Sequence, residues 1–329
     1  MTALLELRAV SKRFVTPLDL AGTIARRFGS KVDAQVVHAV DNVSLAIGAG
    51  EVVGLVGESG CGKSTLARIA VGLHGMSEGS RWWQGEQLET LPAAARRARQ
   101  LAIQMIFQDP YASLNPRMRV QDIVGEAALV HGMTSAAEQH HYTAAMLQRV
   151  GLEPSLMGRF PHQFSGGQRA RIGIARALAV RPQLLVCDEA VAALDVSIQA
   201  QVLNLFMQLR DELSLTYLFI SHDLAAVRHV SDRVVIMYLG RVLESAPTGE
   251  LFGHASHPYT QALLASAPTL EVKKMQFMPV RGEIASPLHP PAGCHFHPRC
   301  PQAMARCAVD APPLREIAPQ HFSACHLDD

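Results

Sequence analysis

Residues 57–65, GESGCGKST, restrict the fold more than any other stretch of this chain. They fit the pattern G-x-x-x-x-G-K-[ST], with Gly57, Gly62, Lys63 and Ser64 at the defining positions. A loop of this kind needs a buried strand before it and a helix after it. The apolar run 52–56 supplies the strand, and residues 64–73 carry helical spacing. Glycines allow the backbone to curl with its N–H groups inward, which makes an anion nest at a helix N-terminus. Lys63 has the reach to touch β- and γ-phosphates, and the Ser64 hydroxyl is a candidate Mg²⁺ ligand. Backbone or side chain of Gly57, Glu58, Ser59, Gly60, Cys61, Gly62, Lys63, Ser64 and Thr65 is therefore a candidate for nucleotide contact.

The surrounding pattern is α/β. Residues 4–15 and 36–56 read as strands, with a polar insertion at 16–35 between them. From about 93 to 180 the spacing is mostly helical. PQLLVCDEA and LTYLFISHD are apolar runs of strand length, separated by a helix at 198–213, and RVVIMYLGRVLESA reads as a hairpin. Strands alternating with helices predict a parallel sheet, here with an antiparallel part and a helical insert at about 110–175. The glycine–lysine loop occurs once, so no internal repeat is expected. From Pro258 onward Pro, His and Cys rise and periodicity fades, which places a boundary near 255–275 and divides the chain at 265/266.

Strand ends carry the remaining chemistry. Asp188 and Glu189 end the run LLVCDE; one carboxylate there supports the magnesium shell and the next polarises an attacking water. His222, in LFISHD, is placed to contact a γ-phosphate. Gln108, in MIFQDP, is placed to sense the same phosphate and metal.

About a hundred residues after the glycine loop comes SGGQRARIGIARAL, a Ser-Gly-Gly-Gln turn opening an Arg-rich helix. An N-cap explains Ser165 but not the paired glycines. The ordered set GESGCGKST, Gln108, FSGGQ, LLVCDE, ALD and SHD resembles the ATP-binding cassette of ABC transporters, over roughly residues 4–270. The resemblance implies a P-loop NTPase with a RecA-like core. It implies that Ser165, Gly166 and Gly167, with Gln168 beside them, cap the γ-phosphate held by an opposing subunit. It also implies Lys63, Ser64 and Asp188 on phosphate and Mg²⁺, Gln108 on the metal and the membrane partner, Glu189 as general base and His222 as the switch histidine. Asp195 lies in the loop facing the partner cassette, and Phe14 takes the place of the adenine-stacking aromatic. Two positions depart from the family pattern: Ala190 stands for proline and Ala192 for serine. With Glu189 and Asp195 kept, hydrolysis is still expected.

SLNPR after Gln108, HPYTQALL at 257–264 and GEIASPLHPPAGCHFHPRC at 282–300 resemble the oligopeptide and dipeptide importer ATPases. The insertion at 16–35 is similar to that of the second ATPase in such systems. Implied partners are a related ATPase in a heterodimer, two transmembrane permeases and an extracytoplasmic solute-binding protein. Nickel and glutathione importers share much of this cassette. Soluble ABC ATPases acting on nucleic acid and exporter ATPases are the competing readings. Their usual marks, a second cassette, a long coiled-coil insert or a fused membrane domain, are not evident.

The composition agrees. Across 329 residues, 48% are hydrophobic, enough for a full core, and 30 basic against 29 acidic residues give a net charge of +1. That balance provides no broad basic face, so no nucleic-acid partner is expected. Glu6 interrupts the start before a signal peptide could form, and no run approaches a membrane span. The expected location is peripheral, on the cytoplasmic face of the inner membrane. Four of six cysteines, Cys294, Cys300, Cys307 and Cys325, crowd the last 36 residues with gaps of five, six and seventeen. Four soft thiolates suit Zn²⁺ or an iron–sulfur cluster, and the gaps are not those of zinc ribbons. Resemblance to the peptide-importer ATPases favours a [4Fe–4S] cluster, with zinc or no metal left open.

Overall fold

The computed structural model describes residues 3–17, 35–109, 112–266, 282 and 285–329. Residues 18–34 of the insertion, residues 267–275 of the expected boundary and Tyr111 lie outside the described residues. Two sheets organise the chain. One is antiparallel, in the order β2–β1–β4–β5, from β1 (Ala3–Thr16), β2 (Gln35–Gly48), β4 (Glu78–Trp83) and β5 (Glu86–Gln87). The other has eight strands in the order β11–β12–β10–β9–β3–β8–β7–β6. Its parallel part comprises β3 (Val52–Val56), β6 (Ile103–Ile106), β7 (Leu184–Asp188), β8 (Thr216–Ile220) and β9 (Arg233–Tyr238).

The parallel strands are apolar on both faces because both faces are covered. Val53 and Leu55 pack toward the antiparallel sheet and α1 (Lys63–Ala70). Val52 and Val56 point the other way, into a core shared with α6 (Val196–Leu213) and α7 (Leu224–Val230). That second core continues into the helical region: α3 (Val120–Val130), α4 (Gln139–Arg149) and α5 (Gly166–Leu178). The arginines of α5 secure its surroundings. Arg169 donates to the Pro161 carbonyl, Arg171 to Val150 and Arg176 to Ser113, at 2.9, 2.8 and 2.6 Å.

The stretch 93–180 is less helical than its spacing predicts. After α2 (Ala93–Leu101) it contains β6, which pairs with β7 from Ile103↔Leu184 to Ile106↔Cys187. Four residues are too few to carry a period. The hairpin of β9 and β10 (Arg241–Pro247) turns at Leu239 and Gly240, both at positive φ, 40° and 82°, as a tight two-residue connection requires. Regular structure also persists past Pro258. After α8 (Thr248–His254), α9 spans Pro258–Ala265, with proline in its first turn and the His257 ring accepting from the Tyr259 N–H at 3.0 Å.

Residues 285–329 attach to the sheet. β11 (Arg315–Ala318) and β12 (His321–Ser323) extend it antiparallel through Glu244↔Ser323 and Ser245↔Phe322. The Glu244 side chain is fully buried and accepts from Ser256 N–H, His257 N–H and His321 Nε2 at 2.7, 3.1 and 2.7 Å.

Candidate functional site

Four parallel strands end at the same edge of the sheet, and each delivers one component. β3 leads into the glycine loop. Gly57 is forced: a Cβ there would lie 2.1 Å from the Met237 carbonyl oxygen and 2.7 Å from Cys61 Sγ. Gly62 sits at a φ of 106°, with the Ala39 carbonyl 2.1 Å from where a Cβ would be. The backbone turns directly into α1, whose first-turn N–H groups have no intrahelical partner. Lys63 folds back over the loop, donating to the carbonyls of Gly57 and Glu58 at 2.8 and 2.9 Å. Cys61 is buried against it, and burial pushes its thiol up.

β7 ends in Asp188, and the next residue is Glu189. Asp188 is 2% exposed and accepts from the Ser64 hydroxyl at 2.7 Å. Burial raises its pKa, opposed by the Ser64 hydrogen bond and by Arg68. Two of the expected magnesium ligands are therefore in direct contact, and the oxygen donor set fits a hard divalent cation. Glu189 has a φ of 49°, rare for a side-chain-bearing residue and costly to hold. That turn aims its carboxylate away from the strand. Its Oε2 accepts from Gln108 Nε2 at 2.7 Å, and His222 Nδ1 lies 3.6 Å from the same oxygen. Gln108 follows β6 and His222 follows β8, so both reach Glu189 through strand order.

Phe14, Ser59, Gly60, Gly62, Lys63, Ser64, Thr65, Gln108 and Glu189 line one cavity of about 350 Å³. Phe14, at its rim, packs edge-on to His74 at 5.6 Å, with the Lys12 ammonium 5.0 Å over its ring. Asp188 opens instead onto an adjoining cavity with Arg68, Phe107 and Gln108. Glu58 departs from expectation. Its N–H donates to the Tyr259 hydroxyl at 3.0 Å, so this amide is already engaged.

Ser165, Gly166, Gly167 and Gln168 sit apart from that cavity, at the start of α5. Ser165 and Gln168 form a reciprocal cap. Ser165 Oγ accepts the Gln168 N–H at 3.3 Å, and Gln168 Oε1 accepts the Ser165 N–H at 3.0 Å. The two glycines differ. A Cβ on Gly167 would fall 2.4 Å from Ile198 Cγ2, whereas one on Gly166 would meet only Leu194 Cδ2, at 3.6 Å. Packing within the chain requires the second glycine and not the first. At the departures, Ala190 is buried in the core and Ala192 is exposed.

The four tail cysteines come together. Cys294, Cys300, Cys307 and Cys325 line one cavity with His257, Phe296, His297 and His326. Its volume is about 10 Å³, room for about one water. Burial pushes the thiols of Cys294 and Cys300 up and that of Cys325 up to about 11. Among the described residues, no group of three or more His, Cys, Asp or Glu side chains is placed to hold a metal ion. The cluster expectation thus meets four converging donors around a cavity that, as packed, is smaller than a cluster. His257 adds one detail. Burial lowers its pKa to about 4, and its Nδ1 accepts a backbone N–H, which puts the proton of the neutral ring on Nε2. That nitrogen has no partner.

Sequence reasoning missed three residues near the nucleotide cavity. Pro287 lines it, and its carbonyl accepts the His38 N–H at 2.9 Å. Tyr259 and Arg299 grip Glu58. All three lie in the stretches 257–264 and 282–300 that resemble the importer ATPases, but nothing in those stretches signals contact with the glycine loop.

A glycine loop shaped to receive an anion, a lysine folded into it and a carboxylate pair at the end of β7, one strand removed from β3 in the sheet, define a P-loop nucleoside triphosphatase. Comparison with known proteins then fixes the family. A family profile described as ABC transporter matches residues 40–192, and one described as Oligopeptide/dipeptide transporter, C-terminal region, matches residues 243–307. The oligopeptide transport ATP-binding protein AppF of Bacillus subtilis (strain 168) is 48% identical over 98% of this chain and 97% of its own. The probable peptide ABC transporter ATP-binding protein y4tS of Sinorhizobium fredii is 44% identical over 99% of this chain and 90% of its own. Among solved structures, the dimeric ATP-binding cassette MJ0796 in a post-hydrolysis state bound to ADP and Pi superposes with a TM-score of 0.62. It is 26% identical and covers 74% of this chain and 98% of its own. The chain belongs to the ATP-binding proteins of ABC transporters.

Proposed function

We propose that this chain is the ATP-hydrolysing subunit of a bacterial importer of di- and oligopeptides. One observation carries the chemistry: Glu189 Oε2, held by Gln108 and faced by His222, opens into the cavity that Lys63 and Ser64 line. Lys63 exchanges its loop carbonyls for phosphate oxygens. Ser64 and Asp188 would hold Mg²⁺, which would offset charge on the phosphates. Gln108 fixes the Glu189 carboxylate. Glu189 takes a proton from the attacking water as the water oxygen bonds to the γ-phosphorus and the bridging P–O bond breaks. His222 contacts the γ-phosphate, and Phe14 stacks on adenine.

Ser165, Gly166 and Gly167 cap the γ-phosphate held by another cassette. The open surroundings of Gly166 support this, because nothing in its own chain demands a missing side chain there. The second cassette is a different, related ATPase. Two permeases dock on the helical region and on the loop after Gln108, and an extracytoplasmic protein delivers solute. Residues 1–265 form the cassette and 266–329 its importer-specific extension. The subunit is peripheral, on the cytoplasmic face of the inner membrane; no helix among the described residues is long and apolar enough to cross one. Names of relatives and the match at 243–307 support peptide as solute.

The test is reconstitution with the permeases and partner ATPase in vesicles. Peptide-loaded binding protein should raise ATP turnover, and labelled peptide should accumulate. Stimulation by nickel or glutathione alone would reassign the solute. The four tail thiols we assign as the ligand set of a [4Fe–4S] cluster, with Zn²⁺ as alternative, once the side chains spread. An anaerobic preparation should then contain about four irons per chain; metal-free protein, or one zinc, removes the cluster assignment.

A further inference from the structure

Glu58 is held on three sides at once. Its carboxylate receives the Arg299 guanidinium as a fork, Nη1 to Oε2 at 2.7 Å and Nη2 to Oε1 at 3.1 Å. Its N–H donates to the Tyr259 hydroxyl at 3.0 Å. Its carbonyl accepts from the Lys63 ammonium at 2.9 Å. The partners lie 241 and 201 residues away for Arg299 and Tyr259, so the grip exists only in the folded chain. Arg299 is well shielded, with a side chain 6% exposed, and its Nη1 also donates to the Tyr238 hydroxyl at 3.3 Å. Tyr238, Tyr259 and Phe296 pack against one another beside it, tilted or edge-on, with ring centroids 4.8 to 5.4 Å apart.

We propose that Arg299 and Tyr259 are positioning residues for the phosphate loop, acting through Glu58 on Lys63. A bidentate, shielded ion pair fixes orientation as well as distance. Arg299 and Tyr259 together fix the plane of the peptide groups on either side of Glu58. The Glu58 carbonyl is one of two that anchor the Lys63 ammonium, so its direction sets where that charge sits. Gly57 is immobilised by packing, whereas Glu58 is immobilised by the C-terminal residues. The same region reaches the cysteine cavity, which Phe296 and Cys300, on either side of Arg299, both line. The C-terminal extension thereby completes the loop that binds phosphate.

This inference rests on the loop binding nucleotide, so the experiment separates the two claims. Full-length protein is compared with Arg299→Gln, Arg299→Lys, Tyr259→Phe and the exchange Glu58→Arg/Arg299→Glu. The readouts are affinity for a fluorescent ATP analogue and amide exchange across residues 57–65 and 120–178. Arg299→Gln should weaken affinity about tenfold and speed exchange at 57–65 while leaving 120–178 unchanged. Tyr259→Phe should do the same more weakly, Arg299→Lys should keep part of the affinity, and the exchanged pair should restore most of it. Wild-type affinity and loop exchange in Arg299→Gln would overturn the proposal. So would exchange accelerated equally in both segments and not restored by the swap, which marks a general loss of stability. Wild-type protein that binds no analogue would sink the nucleotide reading itself.

Discussion

Two glutamates, Glu189 and Glu244, show how the same side chain serves different ends in one molecule. Glu244 is fully buried and accepts from two backbone amides and His321, each within 3.1 Å. It joins β10 to α9 and to β12, and nothing further is left for it to do. Glu189 has one short hydrogen bond, from Gln108, a histidine at 3.6 Å, a side chain 16% exposed and a strained backbone. A saturated carboxylate holds a fold together; one with spare acceptor capacity beside a cavity is free to receive a proton. The contrast teaches that hydrogen-bond saturation, more than burial or residue type, separates scaffold from chemistry here.

The sharpest way to break this contrast is to remove the charge at each glutamate. Glu189→Gln keeps the shape and the contact with Gln108. ATP turnover should fall by about 10²- to 10⁴-fold, while nucleotide affinity and the unfolding midpoint stay put. Glu244→Ala should do the reverse. It strands His321 and two amides, costing about 3 to 5 kcal/mol in denaturant unfolding, with turnover per folded molecule unchanged. A Glu244 variant of full stability would show that saturation does not imply a structural role.

The paired glycines sharpen the same distinction at smaller scale. Gly167→Ala drives a methyl against Ile198 and should cost about 1 to 3 kcal/mol, with Ile198→Ala restoring part of it. Gly166→Ala has ordinary space and should leave the unfolding midpoint alone, while weakening ATP-dependent association of cassettes. Equal stability losses at both positions would erase the difference drawn from their surroundings. Smaller still is Phe14→Ala at the cavity rim. Loss of one stacking face should weaken ATP binding by about 1 to 3 kcal/mol, without changing GTP-to-ATP preference.

Much of the cleft was legible because its parts lie at strand ends beside recognisable loops. Gln108, Glu189 and His222 each follow an apolar run directly, so the topology that aligns β6, β7 and β8 also gathers them. The elements that were not legible are those whose stability comes from elsewhere. β6 has four residues and no period of its own; pairing with β7 makes it a strand. REIA and HFS become β11 and β12 because the exposed edge of β10 accepts them and because buried Glu244 needs His321. α9 hides in a Pro- and His-rich stretch until His257 caps it. Arg299 and Tyr259 lie inside stretches that resemble the importer ATPases, yet nothing local in those stretches points to Glu58, since that partner lies 241 and 201 residues away. For the cysteines, sequence foretold convergence, and packing decided the space between them.

The central claim is that nucleotide is held between the lysine loop of one cassette and the glycine turn of another. Light scattering on Glu189→Gln protein mixed with its partner ATPase, with and without Mg-ATP, tests it most directly. A closed pair should form only with Mg-ATP and be lost when Gly166 is replaced by tryptophan, although each chain still binds nucleotide. Full-rate ATP turnover by a lone wild-type monomer, undiminished by that same tryptophan, would contradict it.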